Sequence, residues 1–77
     1  MPLDPLPAWV LTHRQAIGDR VRVAREEAGI TQEKLAELID RDRKTINRIE
    51  QATHAVNLDH LILIARALGV PLADLVR

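Results

Sequence analysis

The sequence predicts a compact all-α domain of five short helices, and three observations carry that expectation. Apolar residues recur at steps of three and four along the chain, the period of one helical face. Cap-type residues and glycines punctuate it at intervals that suit short helices. The hydrophobic 47% is nearly all Leu, Ile, Val and Ala, with Trp9 as the sole aromatic, a composition that favours helix over sheet.

The first seven residues carry three prolines and read as an extended arm, expected to end at Leu11, with the folded domain at 12–77. Thr12-His13-Arg14-Gln15 has the T-x-x-Q spacing of a capping box, so the first helix is expected to start there. Ile17, Val21, Ala24 and Ala28 share one face of it, and Gly29 ends it. Gly18 lies inside, where Gly is roughly 1 kcal/mol less favourable than Ala; it is either a point of close packing or simply tolerated.

Thr31 caps a second helix, in which Leu35, Leu38 and Ile39 face inward with Ala36 beside them. Asp40-Arg41 breaks it. Asp42 caps a third helix, 42–51, with Ile46 and Ile49 as its buried pair. Asn57 caps a fourth, where Leu58, Leu61, Ile62, Ile64, Ala65 and Leu68 cover a broad apolar face and Gly69 is the stop. Pro71 opens a last short helix with Leu72, Leu75 and Val76.

Seventy-seven residues make one domain. Without cysteine there is neither a disulfide nor a thiolate metal site, so stability must come from burying aliphatics. No run approaches the ~20 apolar residues that span a bilayer. The N-terminus also lacks a cationic region ahead of its apolar residues. A cytoplasmic protein without a membrane partner is expected. His13, His54 and His60 have no metal-ligand spacing and read as ordinary surface residues. Glu33 and Glu37 share a helical face but no pocket-forming sequence surrounds them. With no Gly-rich phosphate loop and no Ser/His/Asp set, no enzyme, cofactor or small-molecule ligand is expected.

Eleven Lys and Arg balance eleven Asp and Glu, so what matters is where the charge sits. RDRKTINR, Arg41 to Arg48, holds four cations against one aspartate. At about 100° per residue, Lys44, Asn47, Arg48 and Gln51 lie opposite Ile46 and Ile49, with Arg43 on the flank. Cations and amides therefore occupy the face that the core does not use. Arg and Lys donate to guanine O6 and N7, and Asn and Gln pair with adenine N6 and N7. A helix, a short turn and an exposed donor-rich helix form a helix-turn-helix.

QEKLAELIDRDRKTINRIEQ, Gln32 to Gln51, resembles the Cro/lambda-repressor-type helix-turn-helix, the Xre family. The likeness runs from about Ile17 to Leu75, through IGDRVRVAREEAGITQEKLAE before the motif and LDHLILIARALGVPLADL after it. It implies a five-helix lambda-repressor-like DNA-binding domain. Gln32 matches a glutamine that touches phosphate and braces the recognition helix, and Ala36 matches the small residue where the two helices cross. Arg43, Lys44, Asn47 and Arg48 fall where relatives read bases. Arg41, Thr45 and Gln51 are assigned to phosphate along with Gln32. The sequence departs from the family pattern at Asp40 and Ala52, where glycine is customary. It also departs at Arg41, usually a small aliphatic, and at Val56, usually proline. Asp tolerates positive φ better than most residues, so the turn can survive.

Arg14, Arg20, Arg22 and Arg25 add cations to the first helix, and Arg22 or Arg25 is a candidate for a further phosphate contact. Residues 1–13 hold no Lys or Arg, which argues against an arm wrapped around DNA. Trp9, Val10 and Leu11 are expected to fold back over the core, with a subunit contact as the alternative. Leu63 points away from the apolar face assigned to the fourth helix. With Leu72 and Val76 it is the candidate dimer surface.

The expected function is sequence-specific binding of double-stranded DNA by a transcriptional regulator, by default a repressor. A homodimer would read half-sites roughly 34 Å apart. The alternative is a protein-interaction module on the same scaffold, such as an antitoxin or adaptor, toward which the neutral total charge points.

Overall fold

The computed structural model describes residues 6–77. Five helices follow one another: α1 (Ala8–Glu27), α2 (Gln32–Leu38), α3 (Arg43–Gln51), α4 (Leu58–Leu68) and α5 (Leu72–Val76). No strand occurs among the described residues. Helix α3 packs against α1 and α2, α5 against α4 and α1, and α4 also touches α1 and α2. At the centre lie Val21, Leu35, Ile46, Ile64 and Leu75, each nearly or wholly removed from solvent. None of the helices is long and apolar enough to cross a membrane.

Three of the side-chain caps form as the sequence implies. The Thr31 hydroxyl accepts from the Lys34 amide at 3.0 Å, Asp42 Oδ1 from the Thr45 amide at 2.9 Å, and Asn57 Oδ1 from the Asp59 amide at 2.7 Å. Gly29 and Gly69 terminate α1 and α4 with φ of 72° and 69°. Asp40 closes the α2–α3 turn with φ 56°, the left-handed conformation that its short polar side chain tolerates. Ala52 adopts the same φ of 56° at the end of α3 and has no such excuse, so it carries backbone strain.

Helix α1 starts five residues earlier than the capping box suggests, with Pro7 rather than Thr12 as the N-cap. Pro7 precedes it with φ −56°, and its carbonyl accepts from the Val10 amide at 3.0 Å. Nothing in Ala8–Leu11 breaks a helix, so Thr12 and Gln15 become helix interior and cap nothing. Residues 8–11 of the expected arm are thus helical, and 1–5 lie outside the described residues. The early start carries Trp9 away from the core: it is 72% exposed, and Leu11 is also exposed. The expected fold-back does not occur for Trp9 and Leu11, and Val10 alone of the cluster is half-buried.

Two further inward assignments are corrected. Leu38 is exposed, and Leu35, Ala36 and Ile39 alone fill the inner face of that stretch. On α4 the buried side is Leu61, Ile64 and Ala65, which leaves Leu58 and Ile62 exposed at 60% and 47%. Leu63, placed on the outside by the sequence, is half-buried and packs against the core, as do Leu72 and Val76.

Gly18 is a point of close packing. A Cβ there would lie 2.6 Å from the Ile49 carbonyl oxygen and 2.8 Å from that of Glu50. Only glycine lets the α1 backbone approach the last turn of α3 this closely. The seat of α3 is set by that approach.

Candidate nucleic-acid interface

Helix α3 owes its position to apolar contacts from behind and to one buried charge cluster. Ile46 and Ile49 anchor it to the core. Glu50, one turn after Ile46, is turned the same way and its side chain has no exposed surface. A buried carboxylate requires partners, and it has three hydrogen bonds. Arg25 Nε donates to Oε2 at 2.7 Å and Nη2 to Oε1 at 3.1 Å, a bidentate pair. Gln32 Nε2 also donates to Oε1, at 3.1 Å. Arg25 Nη1 donates to the Ile30 carbonyl at 2.8 Å, which ties in the α1–α2 loop. One cluster therefore joins α1, α2 and α3. Its hydrogen bond to Glu50 chiefly, helped by the neighbouring carboxylates and opposed by burial, raises the Arg25 pKa, so the cation is fixed.

This cluster corrects the reading of Arg25 as a phosphate candidate, because the guanidinium is turned inward. Arg22 is also engaged, with Glu26 at 2.8 Å and Asp19 at 3.7 Å. The pairing had a signal in the sequence: an acid four residues after a buried isoleucine must face the core, and so calls for a cation.

The N-terminal end of α3 is organised by Asp42. Its Oδ1 accepts from the Thr45 hydroxyl at 2.7 Å as well as from the Thr45 amide. The hydroxyl bond chiefly, then the amide, with the positive charges of Arg48 and Lys44, holds the Asp42 carboxyl below its ordinary pKa. The Thr45 hydroxyl hydrogen is thereby committed to Asp42. A phosphate oxygen only accepts, so the phosphate contact assigned to Thr45 lacks its donor in this conformation.

The cations of the motif stand differently. Arg41, Arg43, Lys44 and Arg48 are all exposed. Among the described residues the ion pairs involve Arg22, Arg25 and Lys34, and none involves those four. Of the acids nearest them in sequence, Asp42 caps the helix, Glu50 is buried against Arg25, and Asp40 forms no ion pair with them. A chain of zero net charge thus presents, on α3 and the turn before it, a cluster of exposed cations without ion pairs among the described residues. Asn47 is half-buried on the same side, and its Nδ2 lies 3.5 Å from Gln32 Oε1, a weak contact that leaves it able to turn outward. Gln51 is exposed at the end of the helix. Gln32 bridges from α2 to Glu50 and Asn47, which places it at the seam between the two helices.

His60 departs from its reading as an ordinary surface residue. It is half-buried on α4, and its Nε2 accepts from Arg41 Nε at 3.1 Å. His54 Nδ1 lies 2.9 Å from the Thr53 hydroxyl.

Residues 21–75 match the family model described as helix-turn-helix. Over 63 residues, 80% of this chain and 78% of the relative, the sequence is 41% identical to control protein C.BamHI of Bacillus amyloliquefaciens. The fold superposes on the restriction-modification controller protein C.AhdI from Aeromonas hydrophila with TM-score 0.80 at 29% identity, covering 84% of this chain and 94% of that one. It superposes on the clp gene regulator ClgR from C. glutamicum with TM-score 0.77 at 28% identity, covering 94% and 86%. An exposed donor-rich α3 seated behind a short turn, a matching family model and relatives of this identity together lead to one conclusion: the chain belongs to the Xre-type helix-turn-helix family of DNA-binding transcriptional regulators.

Proposed function

We propose that the chain binds specific double-stranded DNA sequences as a homodimer and represses transcription, each α3 entering the major groove of one half-site. The observation that carries this reading is the positive face made by Arg41, Arg43, Lys44 and Arg48, exposed and without an ion pair among the described residues. Arg43, Lys44 and Arg48 read guanine edges and Asn47 an adenine. Gln32, Arg41 and Gln51 contact phosphates and fix register. Thr45 acts through Asp42 and the shape of the helix start.

One recognition helix reads too few base pairs to select a site among genomic competitors, and a second copy supplies the rest. Exposed apolar area for that contact comes from Trp9, Leu58 and Ile62, with Trp9 and Leu58 lining one open groove. Leu63, Leu72 and Val76 are half-buried against their own core and leave less surface for a partner. The likeness to C.BamHI, a control protein, and to C.AhdI, a restriction-modification controller, supports a promoter in a restriction-modification locus as the target. Occluding that promoter is the simplest route to repression.

Selection of bound duplexes from a random pool tests the reading. A palindrome with half-sites one helical turn apart is expected, with binding that weakens steeply as salt rises. A pool that yields no consensus, or binding indifferent to salt, would reject it in favour of a protein-interaction role.

A further inference from the structure

Arg41 sits in the α2–α3 turn, at the edge of the α3 face, and its guanidinium is held twice. Nη1 donates to the Asp40 carbonyl at 2.8 Å, and Nε donates to His60 Nε2 at 3.1 Å. The first bond is local, within a turn that Asp40 closes at φ 56°. The second spans nineteen residues and reaches α4. Arginine has no acceptor, so His60 Nε2 must be the unprotonated nitrogen and the ring proton sits on Nδ1. His60 thus acts as an acceptor toward a cation.

Two bonds to one planar guanidinium fix its plane as well as its position. A long exposed cation normally loses much rotamer freedom when it grips a phosphate, and that loss weakens binding. Arg41 has already been ordered. Among the described residues Nη2 makes no hydrogen bond, and Arg41 joins no ion pair, so donors remain for an incoming anion. His60 is half-buried on α4, where it lines a small cleft with Thr45, Arg48, Ile49, His54 and Asn57.

We propose that His60 is a positioning residue for DNA binding: through Nε2 it holds Arg41 as a pre-formed clamp for a backbone phosphate beside the recognition helix. The inference rests on the DNA-binding reading above and extends it to α4, a helix that carries none of the residues assigned to bases or phosphates. His60 touches no nucleotide in this arrangement and acts through Arg41.

The test is a double-mutant cycle on the full chain, read as affinity for the selected duplex and for a scrambled duplex at moderate salt. Arg41→Ala is expected to weaken both duplexes alike, by about tenfold. His60→Leu keeps bulk but cannot accept, and is expected to weaken binding about threefold. The Arg41→Ala/His60→Leu double variant should bind no worse than Arg41→Ala alone, because the histidine has nothing left to position. His60→Gln, whose Oε1 can stand in for Nε2, should return affinity to within about twofold of the parent. Thermal melts accompany each variant, since a merely structural role would lower the melting temperature without any dependence on Arg41. Equal loss from His60→Leu in both backgrounds, no loss at all, or no rescue by Gln would overturn the clamp. If the unmodified chain bound no duplex, the DNA-binding reading would fall first. If it bound with the expected salt dependence and the cycle showed no coupling, only the clamp would fall.

Discussion

Glu50→Ala is the perturbation with the largest calculable consequence. It removes one acceptor group and strands three donors: Arg25 Nε, Arg25 Nη2 and Gln32 Nε2. The Arg25 side chain is 12% exposed, so its charge stays largely buried with only the Ile30 carbonyl as a remaining partner. Removing one member of a buried ion pair costs about 3–5 kcal/mol. Arg25 has a route to water along its exposed edge, which places the expected loss near the low end, about 3 kcal/mol. A chain of this size has on the order of 4–12 kcal/mol in total, so the variant lies close to the folding threshold. Urea titration followed by circular dichroism reads the effect. With a slope near 1 kcal/mol per molar for a small domain, the midpoint should drop by about 3 M. Glu50→Gln should fall nearly as far, because an amide that keeps Oε1 toward Gln32 presents N–H to the Arg25 N–H. Arg25→Met with Glu50→Leu should lose much less than the two single changes summed. A midpoint shift below about 0.5 M for Glu50→Ala, with unchanged slope, would refute the claim that this cluster holds α3 in place.

Gly18→Ala should destabilise by about 1–3 kcal/mol, despite the better helix propensity of Ala, since its Cβ would meet the Ile49 and Glu50 carbonyls; a neutral or stabilising result in the same titration would show that α1 and α3 separate freely. Ala52→Gly should raise stability by about 0.5–1 kcal/mol, because the native φ of 56° suits glycine. The Asp42 carboxyl titrates lower in the folded chain than in the unfolded one, so its contribution to stability is complete above the ordinary aspartate pKa. It is lost as pH falls through the depressed folded value, and Asp42→Asn should flatten that part of the acid unfolding profile. Arg48→Ala should weaken binding to the selected duplex by about 1–3 kcal/mol and relax preference at one base pair; equal weakening on every sequence would reassign it to phosphate.

Much of the fold was legible because local chemistry decided it. Thr31, Asp42 and Asn57 are caps whose side chains find amides within three residues, so no tertiary information is needed. Asp40 in the turn was legible for the same reason. The start of α1 was not, since a capping-box pattern competes with an earlier proline and the sequence does not rank them. The apolar face of α4 is wider than the stripe the core can take, so its pattern does not say which part of that face is buried. The core took Leu61, Ile64 and Ala65, and Leu58 and Ile62 were left to solvent. The exposed cations of α3 were legible because Ile46 and Ile49 fix the phase of the helix. What holds them in place was missed. Periodicity turns Glu50 toward the core but does not name its partner: Glu50–Arg25 and His60–Arg41 join residues 25 and 19 apart.

Chemical interference on the selected duplex reports whether α3 reads base edges in the major groove. Methyl groups placed on guanine N7 stand in the major groove, and those on adenine N3 stand in the minor groove. N7 methylation within each half-site is expected to abolish binding while N3 methylation leaves it intact. Loss of binding from N3 methylation alone, with every N7 position indifferent, would contradict major-groove reading.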